Sequence, residues 1–317
     1  MAEAVIFDTD PGIDDAMAIA FAHKSPAVDL LGLTTTFGNG TIEQTTANAV
    51  FLKNQLGLDC QVFQGAGAPL EIEFDGPAHH VHGSDALGDT GYDIPAAGNQ
   101  PDAVTFIIDT VRARPHEVTL VAVGRMTNLA LAVRKAPDIA KLVKRVVIMG
   151  GVLGSTGIPG NVTPVAEANI FGDPHAADEM MRADWPLVMV GLDVTMKTIM
   201  TNDLVERLAQ HSQMGALLAE IGAFYQRFYR EVLKREGYPV HDSLAVAYLM
   251  APHLFETQAG PIRVATEGLS MGQTIMGDMS RAANYALDGW LDVPDKQACI
   301  SVQAQAVLDL YMETLMS

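Results

Sequence analysis

From its first residues to about residue 195 the chain alternates short apolar, β-branched runs with stretches of helical periodicity, and few folds satisfy that pattern. AVIFDTD, VDLLGLTTTF, VTLVAVG, RVVIMGG and WPLVMVGLDV are apolar on successive rather than alternate residues, as strands buried on both faces must be. Between them DDAMAIAFAHK, TIEQTTANAVFLKNQLG, DAVTFIIDTVRAR, TNLALAVRKAPDIAKLVK and DPHAADEMMRA carry the period of amphipathic helices, with Asp14, Thr41, Asp102, Thr127 and Asp173 at or near their starts. The expected fold is α/β: a Rossmann-like, open, mostly parallel sheet flanked by helices. After residue 200 the pattern becomes mainly helical, with candidates at 201–210, 213–236 and 242–250, then a strand-like tail and a final helix in SVQAQAVLDLYMETLM. No linker, low-complexity tract or fixed-period repeat divides the 317 residues, so one domain over 1–317 is expected.

A net charge of −18, from 38 acidic against 20 basic residues, opposes the counterion release on which nucleic-acid binding depends and disfavours anionic membrane surfaces. The longest apolar stretches fall far short of the roughly 20 residues that span a bilayer. Cys60 and Cys299 lie far apart without CxxC spacing, so neither a disulfide framework nor a Cys-ligated zinc is expected. MAEAVIFDTDPG lacks the basic flank and apolar core of a signal peptide, and a cytoplasmic location is expected. The least regular stretch, 71–98, is rich in Gly, His, Asp and Pro, the kind of long loop that usually serves function.

The densest acidic cluster is DTDPGIDDAMAI, with Asp8, Asp10, Asp14 and Asp15 where the first strand turns into the first helix, at the end of the strand where open sheets bind ligands. Four crowded carboxylates call for a hard cation or bound donors, and oxygen ligands select Ca²⁺ or Mg²⁺. Helix capping explains either Asp14 or Asp15 alone but not Asp8 and Asp10. Ile13 at the sixth position and Ile19 at the twelfth exclude an EF-hand. Asn39 follows the second strand, and Asp193 in VGLDVT reads as an ordinary turn residue. Asn161, Glu167 and Asn169 after RVVIMGG form an amide and carboxylate set able to clamp sugar hydroxyls. GGVLGSTGIPG reads as a mobile loop, since no GK[ST] follows. His79, His80 and His82 fall together in AHHVHG, and His241 precedes Asp242, which by itself reads as a helix cap.

With DTDPGIDDAMAI, TTTFGN, GRMTNLALAVR, NVTPVAEANIFGDPHAA and PVHDSLAVAY in this order, the chain resembles the nucleoside N-ribohydrolases of the inosine-uridine type over most of its length. That resemblance implies Ca²⁺-dependent hydrolysis of ribonucleosides to free base and ribose. It implies one Ca²⁺ held by Asp10, Asp15, the Thr127 carbonyl and Asp242, with Asp10 also the general base. It further implies that Asp14, Asn39, Asn161, Glu167 and Asn169 hold the ribose hydroxyls, that His82 and His241 face the base, and that the protein is a homodimer or homotetramer. Asp8 matches the family's strand end without an assigned role. Leaving-group protonation falls to His241 first and His82 second.

Ala168 departs from the family, many of whose members carry an aromatic there. Tyr225 and Tyr229, one turn apart, match aromatic family positions and read equally as lining of a base pocket or as helix core. Two competing functions share part of the pattern. A Mg²⁺-dependent phosphatase of the haloacid dehalogenase type also carries DxD after its first strand, but here Pro11 and Gly12 follow and no later Lys and acidic pair is evident. A non-catalytic Ca²⁺-dependent ribose or nucleoside binder would have no need of Asp10 and His241.

Overall fold

The apolar runs become strands β1 (Glu3–Thr9), β2 (Val28–Thr35), β4 (Val118–Ala122), β5 (Arg145–Met149) and β6 (Leu187–Val190), joined by the short β3 (Gln61–Gln64). The computed structural model describes residues 2–234, 236–280 and 289–317. These six strands are parallel and lie in the order β3-β2-β1-β4-β5-β6. The chain runs outward from β1 in one direction and, by way of β4, in the other, which opens a crevice at the carboxyl ends of β1 and β4.

Strand pleat divides the core in two. Val5, Phe7, Val121 and Val147 pack into one apolar cluster, whereas Ile6, Leu120, Ala122, Val146 and Ile148 pack into the other. The first face is covered by α1 (Ile13–Lys24) and α2 (Ile42–Leu56), by the short α3 (His79–His82) beside them, and later by the C-terminal helices. The second is covered by α4 (Ala103–Ala113), α5 (Thr127–Lys135) and α6 (Ile139–Leu142). There follow α7 (Ala168–Gly172), α8 (Pro174–Arg182), α9 (Leu192–Thr195), α10 (Asn202–His211), α11 (Gln213–Leu233) and α12 (Ser243–Met250). Among the described residues no helix is long and apolar enough to cross a membrane.

The C-terminal part is mainly helical as expected, and its expected strand-like tail extends the sheet. After the small antiparallel pair β7 (Ile199–Met200) and β8 (Tyr238–Pro239), strands β9 (Phe255–Val264), β10 (Thr274–Met276) and β11 (Asp295–Val302) complete a nine-stranded sheet, with β11 parallel to β6 and antiparallel to β9. Four successive residues of β9, Glu256 to Ala259, are exposed, so the burial that marks the central strands is missing there. The last helix, α13 (Ala304–Leu315), starts later than its pattern because Ser301 and Val302 remain in β11. TNLALAVRKAPDIAKLVK, expected as one helical stretch, is broken between α5 and α6 around Pro137. Helix α11 stops at Leu233, where Lys234 turns left-handed at φ 55°. Thr41, Asp102 and Asp173 do cap their helices. Thr127 is the first helical residue rather than a cap, and its hydroxyl donates to Asp173 Oδ2 at 2.7 Å.

Candidate active site

The β1–α1 turn places three aspartates at the head of the crevice. Asp10 follows the strand, while Asp14 and Asp15 occupy the first turn of α1, whose N-cap is Gly12. Asp15 does reach back to the Gly12 N–H at 2.9 Å, as a cap would, but it also accepts from Thr9 Oγ1 at 2.5 Å, the Asp10 N–H at 3.2 Å and Asn39 Nδ2 at 2.9 Å. Asn39 ties the cluster together, since its own N–H donates to Asp10 Oδ2 at 2.8 Å. The Asp10 carboxylate lies between two glycines: a Cβ on Gly38 would stand 1.9 Å from Oδ2, and one on Gly124 would stand 2.5 Å from Oδ1. Only glycine lets the loops after β2 and β4 close on this carboxylate.

Asp242 joins from the far end of the chain. It precedes α12 but makes no cap bond, so the cap reading fails for it. Ligand oxygens of Asp14, Asp15 and Asp242 lie within 4.8 Å of one another, all three residues being buried. Burial raises the pKa of each, and neighbouring carboxylates add to the rise for Asp10, Asp15 and Asp242. Asp14 Oδ1 and Asp10 Oδ1 are buried without a hydrogen-bond partner. Orphaned oxygens and converging carboxylates are what a hard cation requires, so the residues present fit such an ion.

Asp8 stands apart from this group. Its Oδ2 accepts from Thr34 Oγ1 at 2.6 Å and Asn128 Nδ2 at 2.8 Å, tying β1 to β2 and to α5, and burial pushes it up to about 7. Arg125, in the loop after β4, is a buried guanidinium stacked over Phe37 and Phe74 at 4.8 and 5.1 Å, and Asp10 is among the carboxylates it faces.

Beside the aspartates opens a cavity of about 400 Å³, a volume suited to a small organic ligand. Asp14, Asp242, Asn39, Asn161, Asn169 and His241 are among its polar lining. Asn161 Oδ1 accepts the Ala168 N–H at 3.0 Å, which leaves its amide free to donate. Asn169 Nδ2 donates to the Val123 and Met149 carbonyls at 2.6 and 3.1 Å, which leaves its oxygen free to accept. Glu167 is not in the lining; it caps α7 and takes the N–H groups of Gly151, Asn169 and Ile170 at 2.8, 2.9 and 3.2 Å.

Tyr225 and Tyr229 prove to be both core and wall. Each belongs to the apolar cluster, and each lines the cavity. The Tyr225 hydroxyl donates to Asp14 Oδ2 at 3.0 Å, and the Tyr229 hydroxyl lies 2.8 Å from His241 Nε2. His241 Nδ1 shares a 2.8 Å hydrogen bond with Thr195 Oγ1, a partner hidden from sequence reading although it stands two residues after Asp193. Burial lowers His241 to about 3, so the imidazole is neutral in the resting site.

His82, expected to face the base, does not line the cavity. Its Nδ1 accepts the Ile13 N–H at 3.2 Å, and burial lowers it to about 4. His80, two residues earlier on α3, lines the cavity instead, edge-on to Phe228. Thr127 and Ala168 complete the set: Thr127 is fully buried at the start of α5, and Ala168 lines the cavity with its small methyl. Asp193, expected as a turn residue, is buried in α9.

A family profile described as inosine-uridine preferring nucleoside hydrolase matches residues 5–309. Uridine nucleosidase 1 of Arabidopsis thaliana is 34% identical over 99% of this chain and 93% of its own. Among solved structures, a plant nucleoside hydrolase superposes with a TM-score of 0.93 at 34% identity, covering 100% of both chains. A purine-preferring ribonucleoside hydrolase from Gardnerella vaginalis superposes at 0.88 with 32% identity, covering 99% of this chain and 98% of that one.

Proposed function

The chain belongs to the inosine-uridine preferring nucleoside hydrolase family, and from that premise we propose that it hydrolyses the N-glycosidic bond of ribonucleosides, releasing free base and ribose, with Ca²⁺ held in the buried acidic cluster. The observation that carries the reading is the meeting of Asp14, Asp15 and Asp242 at the edge of a cavity whose other polar groups are amides, two imidazoles and two tyrosine hydroxyls. Asp10, Asp15, Asp242 and the Thr127 carbonyl are the proposed ligands, an all-oxygen protein set that suits Ca²⁺ better than the water-retaining Mg²⁺. Of the converging trio Asp14 is kept for the sugar, and Asp10, outside that trio, is joined to it through Asp15 and Asn39. When bound, the ion supplies Lewis-acid charge that orients the ribose diol and acidifies water.

The side chains then have separable tasks. Asp10, with an unpartnered Oδ1 in its glycine cradle, takes the proton of the attacking water. Asp14 accepts a ribose hydroxyl through its orphaned Oδ1 while Tyr225 holds the other oxygen. Asn161 donates to the sugar, and Asn39 and Asn169 accept from it. Glu167 Oε1, with a single backbone donor, keeps capacity for one more hydroxyl. As the base leaves, C1′ becomes cationic, and the surrounding carboxylates favour that state over the neutral ground state. His241 and Tyr229 face the departing base, and His82 acts from beneath by fixing the start of α1.

The family match does not favour the phosphatase or the non-catalytic binder. The deciding experiment incubates the protein, stripped with a chelator and then given Ca²⁺, with purine and pyrimidine ribonucleosides and follows free base by chromatography. Base release that depends on the cation is expected. Nucleosides recovered intact would defeat the hydrolase reading, and equal release without the cation would defeat the metal assignment.

A further inference from the structure

The segment between β5 and α7 supplies Ile158, Pro159, Gly160 and Asn161 to the cavity wall without regular secondary structure of its own. Gly151, Gly154 and Gly157 all turn with positive φ, so the covalent chain does little to hold it. Glu167 and Thr274 of β10 hold Gly151 and Val152, and α9 ties down the residues that follow. Asp193, fully buried, accepts the Leu153 N–H on Oδ2 at 2.8 Å and the Thr156 hydroxyl on Oδ1 at 2.8 Å, while the Leu192 N–H donates to the Gly151 carbonyl at 2.9 Å. The same four-residue helix carries Leu192 into the cavity wall and Thr195 onto His241.

We propose that Asp193 is a positioning residue for nucleoside binding, which holds residues 153–156 from α9 so that the wall formed by 158–161 is in place before substrate arrives. The inference rests on reading the cavity as the nucleoside site. A buried carboxylate needs its hydrogen bonds, and here both oxygens are satisfied by the loop, one through a backbone N–H and one through a side chain. A loop ordered in advance spares the substrate that ordering cost on binding, so loosening it should appear in KM before kcat.

Thr156 is half-buried and outside the cavity lining, which makes it the cleaner handle. Thr156→Val keeps the shape and removes the hydroxyl; KM for the best ribonucleoside should rise by about 3- to 10-fold with a smaller change in kcat. Thr156→Ser should restore KM, and Asp193→Ala, which removes the acceptors of both the Leu153 N–H and the Thr156 hydroxyl, should raise it further. A Thr156→Val enzyme with the parent's KM overturns the proposal, as does a fall in Tm without a change in KM. Hydrogen exchange separates this failure from failure of the functional reading. If the parent releases no base from any ribonucleoside, slow exchange at the Leu153 N–H that becomes fast in Asp193→Ala still supports the anchor, and equal exchange in both removes it.

Discussion

His82 Nδ1 accepts the backbone N–H of Ile13 at 3.2 Å, joining α3 to the first turn of α1. An acceptor nitrogen carries no proton, so the ring is the neutral tautomer with hydrogen on Nε2, and the carboxylate of Asp14, 3.9 Å from the same Nδ1, is not its salt-bridge partner. His82→Ala would leave the Ile13 N–H buried and unpaired, at a cost of about 1–3 kcal/mol. The expected result is a Tm lowered by on the order of 5 °C and equal losses of turnover on a natural nucleoside and on p-nitrophenyl riboside. A loss confined to the natural nucleoside would instead make His82 the proton donor.

Metal binding should show in stability as well as activity, with a definite dependence on pH. Asp10, Asp14, Asp15 and Asp242 have folded pKa values raised by burial, so their contribution to the metal-free fold is fully present below the unfolded pKa and is lost as pH rises through the raised values. His82 and His241, lowered to about 4 and 3, act in the opposite sense: their contribution is present above 6.5 and lost as pH falls toward those values. The difference in Tm between Ca²⁺-loaded and chelated protein cancels the histidine terms. At a free Ca²⁺ of roughly 100 times Kd it corresponds to about 2.7 kcal/mol, and it should shrink between about pH 8 and pH 5.5, because protons compete for the same oxygens. A difference independent of pH would place the ion elsewhere.

The central strands were legible because burial on both faces leaves apolar residues in sequence, as in Val118–Ala122. The strand-like tail was legible only in outline, because the exposed residues of the outer strand β9 carry no such mark and leave its bounds and pairing unspecified. The acidic cluster was readable from DTDPGIDD alone, but Asp242, which by itself reads as a cap, joins it only through the fold and was assigned to it by the family resemblance; α12 shows it capping nothing. Thr195 and Asn128 went unassigned because a hydroxyl or amide that orients another polar group has no composition or spacing of its own. His80 takes the place expected of His82 for the same reason: residues two apart on one short helix point differently, and only contacts with Ile13 and Phe228 decide between them.

Asp10→Ala should remove a cation ligand and the proposed base together. Turnover should fall by several orders of magnitude, while circular dichroism remains that of the parent, since the glycine cradle tolerates a smaller side chain. Hydrolysis near the parent rate would show that another group takes the proton.

The ribose 2′ hydroxyl is expected to meet Asp14 and the cation, contacts that tighten as C1′ becomes cationic. Deoxynucleosides should therefore lose chiefly kcat. Kinetics of uridine against deoxyuridine and of inosine against deoxyinosine provide the check; equal kcat/KM within either pair would mean that the diol is not gripped where Asp14 lies.

The departing base needs a proton, and His241 reaches the cavity with both ring nitrogens engaged, Nδ1 by Thr195 and Nε2 by the Tyr229 hydroxyl. Burial keeps the resting ring neutral, so His241 can serve as the acid only once it has taken a proton from solvent as negative charge grows on the base. The proposed relay then has Nε2–H give its proton to the Tyr229 oxygen while the Tyr229 hydroxyl gives its own to the base, which leaves the ring neutral again. General-acid assistance contributes roughly 10² to 10⁴-fold to departure of a poor leaving group, whereas p-nitrophenolate leaves unaided. His241→Ala should accordingly depress hydrolysis of the best natural nucleoside by a factor in that range and leave p-nitrophenyl riboside within about tenfold of the parent. Tyr229→Phe should show the same selectivity if its hydroxyl carries the proton, and should leave both substrates alike if it only packs. Equal losses on both substrates in His241→Ala would assign the imidazole to support of Asp242 and the cation site rather than to the leaving group.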